Sequence, residues 1–119
     1  MAKDDLPVII YKLLEYIYAC MKGEIEPTVE QAKELCACNE TMFDAAVVEA
    51  IDNGFVRGIE RKFYYSGPEI LFSAARLTLK GSEYLLENST MSRAKDIAGE
   101  AFRVALTQAI AIGRRVIGL

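Results

Sequence analysis

The sequence has no histidine and only three cysteines among its 119 residues. Protein zinc sites are built from cysteine and histidine ligands at characteristic spacings, and Cys20, Cys36 and Cys38 show no such spacing. An odd number of thiols suits a reducing compartment, so we expect all three to act as small buried hydrophobes rather than as redox or metal-binding groups. We therefore predict that the protein holds no metal and no cofactor.

Familiar catalytic motifs are missing as well. The chain has no P-loop glycine pattern, no Gly-x-Ser-x-Gly turn and no cysteine with a base partner. Carboxylates are abundant in the first half, but acidic residues at helical spacing usually form a solvated helix face. We predict that the protein is not an enzyme and that it acts by binding another macromolecule.

Long apolar runs are absent too, although 52% of the residues are hydrophobic. Charged or polar side chains interrupt every stretch before it reaches the about 18 residues of a membrane span. The N-terminal residues Met1 to Asp5 include two acidic side chains and do not resemble a secretory signal. We expect a soluble, cytoplasmic protein without membrane contact, whose apolar content is ample for one hydrophobic core.

The charge is distributed unevenly along the chain, whose formal net charge is −3. Residues 1–54 carry four basic and eleven acidic side chains, whereas residues 55–119 carry ten basic and six acidic side chains. A polyanion would therefore approach the second half of the chain.

The first apolar stretch predicts a long helix. Apolar residues recur at spacings of three and four between Ile9 and Met21, which places them along one helical stripe. Pro7 suits the first turn, where a missing N–H group is harmless, and Gly23 supplies a stop signal. We predict helix 1 over residues 6–22.

Two shorter helices follow in the sequence. Thr28 and Gln31 have the spacing of a capping box and predict the start of helix 2. Asn39 is a suitable N-cap for helix 3, which ends at Asn53-Gly54, a pair typical of a left-handed C-cap. The apolar stripe of helix 3 consists of Phe43, Ala46, Val47, Ala50 and Ile51. Two short helices joined by about three residues predict a helix-turn-helix arrangement.

The residues after Gly54 favour β-structure. Aromatic and β-branched residues lead to Ser66-Gly67-Pro68, a turn signal, and Ile70 to Leu79 supply the return strand of a hairpin. One or two helical turns are predicted over Ser82 to Glu87. The predicted core contains Ile10, Leu14, Leu35, Phe43, Val47, Ile51, Leu77 and Leu79.

The last part of the chain predicts a long helix from Ser92 to Ile112 with a broad apolar face. This face either packs across helix 1 of the same chain or pairs with the same helix of a second chain. We favour a homodimer, because a monomer rarely exposes so much apolar surface. The positions predicted for self-association are Ala98, Phe102, Ala105, Ala109 and Ile112.

Three helices, a two-stranded wing and a further helix form a winged helix-turn-helix layout. Two segments resemble that superfamily: Ala50 to Val56 is similar to helix 3 running into the wing, and Leu77 to Leu85 is similar to the step from wing to helix. Gly54 and Gly81 are expected to take backbone angles that other residues avoid. The predicted fold class is α+β, mainly α.

Residues 5–90 as a whole resemble the YjcQ family of small bacterial and prophage proteins. The resemblance implies a winged-helix fold and a phage or mobile-element setting, and it transfers no functional residues. We divide the chain into a winged helix-turn-helix domain at residues 1–90 and a C-terminal helical extension at residues 91–119.

The predicted wing is basic, and its cations could contact the phosphates of duplex DNA. The predicted DNA-binding residues are Arg57, Arg61, Lys62, Arg76 and Lys80, near Tyr64 and Tyr65. Basic side chains on hairpin edges also prevent edge-to-edge pairing, which is an equally good explanation of the same residues. A regulatory protein that binds DNA mainly through the wing is the leading hypothesis.

Helix 3 points to the alternative function. Its outward positions are Thr41, Asp44, Ala45, Val48, Glu49 and Asp52. None of these is arginine, lysine, asparagine or glutamine, the side chains that recognise bases best, and the carboxylates would face phosphates. The alternative is a winged-helix scaffold that binds a protein partner through helix 3 and binds no DNA.

Overall fold

The computed structural model describes residues 1–72 and 74–117, with side chains as far as residue 113. Its helices are α1 (Leu6–Gly23), α2 (Val29–Cys36), α3 (Glu40–Asp52), α4 (Leu79–Glu87) and α5 (Ser89–Ile117). Its strands are β1 (Val56–Arg57), β2 (Glu60–Tyr64), β3 (Gly67–Leu71) and β4 (Arg76–Leu77). The fold class is α+β and mainly helical, as predicted.

Helices α2 and α3 begin at the caps that the sequence predicts. The Thr28 hydroxyl accepts a hydrogen bond from the Gln31 N–H at 3.2 Å, and the Asn39 side-chain oxygen accepts one from the Met42 N–H at 2.8 Å. Each bond satisfies an N–H group that has no partner inside its helix. The capping residues therefore fix where the two helices start.

Helix α1 forms the centre of the core. It contacts the other four helices and β4, and its side chains are buried on several sides, as expected for a helix that is apolar around much of its circumference. Ile9, Leu13 and Ile17 are completely buried. Within the described part of the chain, no helix is both long enough and apolar enough to span a membrane.

The β-strands form an interrupted hairpin. β1 pairs with β4 in antiparallel fashion, and β2 pairs with β3, with Tyr64 opposite Gly67. The β2–β3 turn is therefore a two-residue loop, and Gly67 has a φ of 120°, which favours glycine. Between the two pairs Gly58 has a φ of 79°, and a Cβ there would overlap the carbonyl of Ala74. The predicted hairpin is confirmed, with a break between its base and its tip.

The predicted end of the return strand is wrong. Thr78 is the N-cap of α4: its hydroxyl accepts a hydrogen bond from the Gly81 N–H at 3.0 Å and donates one to the Gly54 carbonyl at 2.6 Å. Helix α4 therefore starts at Leu79, whose side chain is 77% exposed rather than part of the core. The rest of the predicted core is confirmed, with Ile51 half-buried.

Gly54 and Gly81 lie where one element changes to the next, and each position requires glycine for a different reason. Gly54 has a φ of 74°, as predicted. The prediction of an unusual backbone angle is wrong for Gly81, which is helical; its requirement is space, because a Cβ would overlap the carbonyl group of Phe55. Helix α4 packs this closely against the segment that leads into the hairpin.

Helix α5 packs along α1 of the same chain. Its path breaks at Gly99, which has a φ of 74° and a ψ of −170°, so the predicted continuous helix is wrong at that residue. Met91 and Ala94 are completely buried in the shared core. The division of the chain at residues 90 and 91 stays a prediction, but the two parts share one core.

The five positions predicted for self-association divide into two groups. Ala98, Phe102 and Ala109 are buried within the chain, and the Phe102 ring meets the Tyr11 ring edge-on at 5.9 Å. For these three residues the intramolecular alternative is the one the structure shows. Ala105 and Ile112 are exposed, and the homodimer stays a prediction.

Candidate functional site

Two of the five hairpin cations face carboxylates. The Arg61 guanidinium on β2 donates hydrogen bonds to both carboxylate oxygens of Asp44 on α3, each at 3.0 Å. Both hydrogen bonds come from the same guanidinium nitrogen, Nη2, so the pair differs from the two-nitrogen fork of the strongest arginine–carboxylate pairs. Lys62 lies 3.6 Å from Glu60 on the same strand. The Arg61–Asp44 pair holds the inner face of the hairpin against α3.

The other three cations lie at the base of the hairpin. Arg57 and Arg76 are directly opposite each other in the β1–β4 pair, with both residues exposed. Arg76 donates a hydrogen bond to the carbonyl of Ala75 at 2.8 Å, and the Lys80 ammonium lies 5.9 Å from the centre of the Phe55 ring. Among the described residues, none of these three cations forms an ion pair.

The outward surface of α3 is acidic, as predicted. Thr41, Glu49 and Asp52 are exposed, and Asp44 is half-buried by its pair with Arg61. Glu49 accepts hydrogen bonds from the side chain of Asn53. This surface offers no cation to a phosphate and no free amide to a base edge.

A groove of about 700 Å³ lies between β3 and the first turns of α2 and α3. Its apolar lining residues, here called its floor, are Phe43 and Phe72, which are buried, and Val29, Ile70 and Leu71, which are half-buried. The two phenylalanine rings pack 6.3 Å apart. The groove therefore offers apolar surface that the chain itself leaves partly uncovered.

The rim of this groove is strongly acidic. Its carboxylates are Glu26, Glu30, Glu40, Asp44 and Glu69. Lys33 is the one cation among the described lining residues, and it lies 3.7 Å from Glu40. Sequence reasoning missed the groove, because its carboxylates come from three separate segments that only the folded hairpin brings together.

Aromatic side chains at the tip of the hairpin extend this surface. Phe63 is 72% exposed, and it lies opposite Pro68, which lines the groove. Tyr64 and Tyr65, at the end of β2 and in the turn, are also exposed. Large exposed aromatic side chains beside a groove are typical of contact surfaces.

The cysteines are poor nucleophiles. Burial raises the pKa of the Cys36 thiol to about 12, and it also raises the pKa values of the thiols of Cys20 and Cys38. A protonated thiol neither attacks an electrophile nor binds a metal effectively. In the part of the chain that the structure describes, no three cysteine or acidic side chains are grouped to hold a metal ion.

Among the comparisons with known proteins, the comparison with family models finds a match. No curated protein and no solved structure matches the chain. A family model described as YjcQ protein matches residues 11–101. This match includes most of α1, all of α2 and α3, the hairpin, the groove, α4 and the start of α5, and it shows that the chain belongs to the YjcQ family.

Proposed function

We propose that this chain is a winged helix-turn-helix protein that catalyses no reaction and binds a protein partner. The order of elements supports this part of the proposal, because two short helices, α2 and α3, are followed by a hairpin, as in a helix-turn-helix followed by a wing. The observation that carries the proposal is the acidic surface formed by α3 and the adjoining groove. In a regulatory protein of phage or mobile-element type, such a surface would recognise a basic partner.

Electrostatics argue against α3 as a reader of DNA. Duplex DNA carries one negative charge per about 1.7 Å of its axis, so carboxylates on the inserted helix are repelled along the whole contact. Arg61, the hairpin cation beside α3, is already paired with Asp44. A protein surface rich in lysine and arginine would instead complement these carboxylates.

A second candidate function rests on the base of the hairpin. Arg57, Arg76 and Lys80 have no ion-pair partner among the described residues, so they are available to phosphate groups. In this candidate the protein binds duplex DNA without sequence preference, through the hairpin alone. The affinity would fall steeply with salt, by about one unit of logarithmic slope per phosphate contact.

Fluorescence anisotropy with a labelled generic duplex at low salt tests the proposal. We expect no saturable binding by the unmodified protein. Saturable binding that is weakened by Arg57→Ala or Arg76→Ala, but not by the control Arg93→Ala on α5, would replace the proposal with the second candidate. Binding that tightens in Glu49→Gln would show that α3 itself approaches the phosphates.

A further inference from the structure

The groove between β3, α2 and α3 combines an apolar floor with a carboxylate rim. We propose that it binds an extended segment of a partner protein in which lysine or arginine alternates with apolar residues. This inference rests on the proposed function, because it names the chemistry of the protein partner. The size of the groove, its charge and its direction along the hairpin support this proposal.

The size suits several side chains of a bound segment. A volume of about 700 Å³ lies within the roughly 300–1,000 Å³ of typical ligand sites. Val29, Ile70 and Leu71 are only half-buried, so a bound apolar side chain would remove further apolar surface from water. The floor therefore selects ligands with apolar groups.

The charge selects the polar side chains of the ligand. The exposed carboxylates of Glu26, Glu30 and Glu69 surround the floor. They repel nucleic acids and acidic peptides, and they attract ammonium and guanidinium groups. In an extended segment successive side chains point to opposite sides, so apolar groups can enter the groove, and the long flexible stems of the lysine or arginine residues between them let their charges reach the rim.

The direction of the groove favours a segment over a small molecule. The lining runs from Pro27, before α2, to Pro68 near the tip of the hairpin, where Phe63 lies opposite in the strand register. The exposed Phe63 ring continues the apolar surface beyond the groove itself. A groove lined by residues from the start of α2 to the hairpin tip can contact several consecutive residues of a chain.

Isothermal titration calorimetry with short synthetic peptides tests this inference on the full chain. The first peptide alternates leucine with lysine, the second alternates leucine with glutamate, and the third alternates serine with lysine. We expect binding of the leucine–lysine peptide and at least about tenfold weaker binding of the other two, because each lacks one of the two complementary features.

Variants of the protein locate the binding site. Glu30→Gln combined with Glu69→Gln removes two rim charges, and Ile70→Ser removes part of the floor. Each variant should weaken the leucine–lysine peptide by about tenfold or more. Glu83→Gln removes an exposed carboxylate on α4, outside the groove, and should leave the affinity unchanged. Circular dichroism verifies that each variant keeps its helical content.

Three results would overturn the inference. The first is that the leucine–lysine peptide does not bind. The second is that the groove variants bind it as tightly as Glu83→Gln does. The third is that the serine–lysine peptide binds as tightly as the leucine–lysine peptide. The broader proposal fails on a different result, which is saturable binding of duplex DNA in the anisotropy measurement. The two failures can therefore be told apart.

Discussion

Tyr16 ties the middle of α1 to the start of α2. Its ring is fully buried, its hydroxyl accepts a hydrogen bond from the Thr28 N–H at 2.9 Å, and it donates one to the Gln31 side-chain carbonyl at 3.2 Å. Tyr16→Phe leaves both groups without this partner and should lower the free energy of unfolding by about 1–3 kcal/mol. Urea denaturation measures the change.

Tyr18→Phe is the matched control, because Tyr18 is half-buried on the same helix. It should change the stability by less than about 0.5 kcal/mol, as most surface changes do. Equal stability of the unmodified protein and Tyr16→Phe would contradict the role assigned to the hydroxyl.

The same tyrosine predicts a pH dependence. Burial raises the pKa of Tyr16 from 10.0 to about 12, although the hydrogen bond from Thr28 opposes the shift. Because the folded-state pKa lies above the unfolded value, the stabilisation is complete below about pH 10 and is lost as the pH rises toward 12. The stability gap between the unmodified protein and Tyr16→Phe should therefore narrow in this range. Urea denaturation at increasing alkaline pH measures the gap, and a constant gap would contradict the prediction.

Replacing Gly81 with alanine should change the stability in the direction opposite to that of most glycine-to-alanine changes in helices. Replacing a helical glycine with alanine commonly stabilises a helix by about 1 kcal/mol. At this position the new Cβ would overlap the carbonyl of Phe55, so Gly81→Ala should destabilise the protein by about 1–3 kcal/mol. Thermal denaturation, with Ser82→Ala as control, measures the effect. A rise in melting temperature would show that α4 can move away from Phe55.

At the scale of elements, α5 packs on α1, which is the intramolecular alternative left open by the sequence, and the homodimer stays a prediction. Phe102 is 7% exposed and contacts Tyr11, so Phe102→Ala should lower the free energy of unfolding by about 3–5 kcal/mol. Val104→Ala on the exposed side of α5 is the control and should have little effect. Denaturant titration measures stability and light scattering measures self-association, so together they distinguish packing on α1 from formation of a dimer. Unchanged stability with loss of a dimer would favour the self-association prediction.

The elements differ in how much of them the sequence could predict. Helices α2 and α3 are encoded locally by Thr28 and Asn39, which start them at the predicted residues. The sequence predicts a strand at Thr78, between Leu77 and Leu79, although threonine is also a good N-cap. The break at Gly99 had one local signal, an isolated glycine within a helical pattern. Local chemistry therefore identifies a cap where a helical apolar pattern follows it, and misses one where the cap directly follows a strand.

At the scale of the whole molecule, the sequence predicted an acidic first half and a basic hairpin. It did not predict that Arg61 of the hairpin pairs with Asp44 of α3, because their separation in the chain conceals their proximity. The groove depends on the same contact between distant segments. Its acidic rim became visible only once β3 lay beside α2 and α3.

The central claim is that the acidic groove, rather than the basic base of the hairpin, makes the macromolecular contact. Backbone amide chemical shifts of the isotope-labelled protein, titrated separately with the leucine–lysine peptide and with generic duplex DNA at low salt, test it most directly. We predict that the peptide shifts signals in residues 26–33, 40–44 and 68–72, and that DNA shifts none. The claim would be contradicted if DNA shifted the signals around Arg57, Arg76 and Lys80 and the peptide left the signals of the groove residues unchanged.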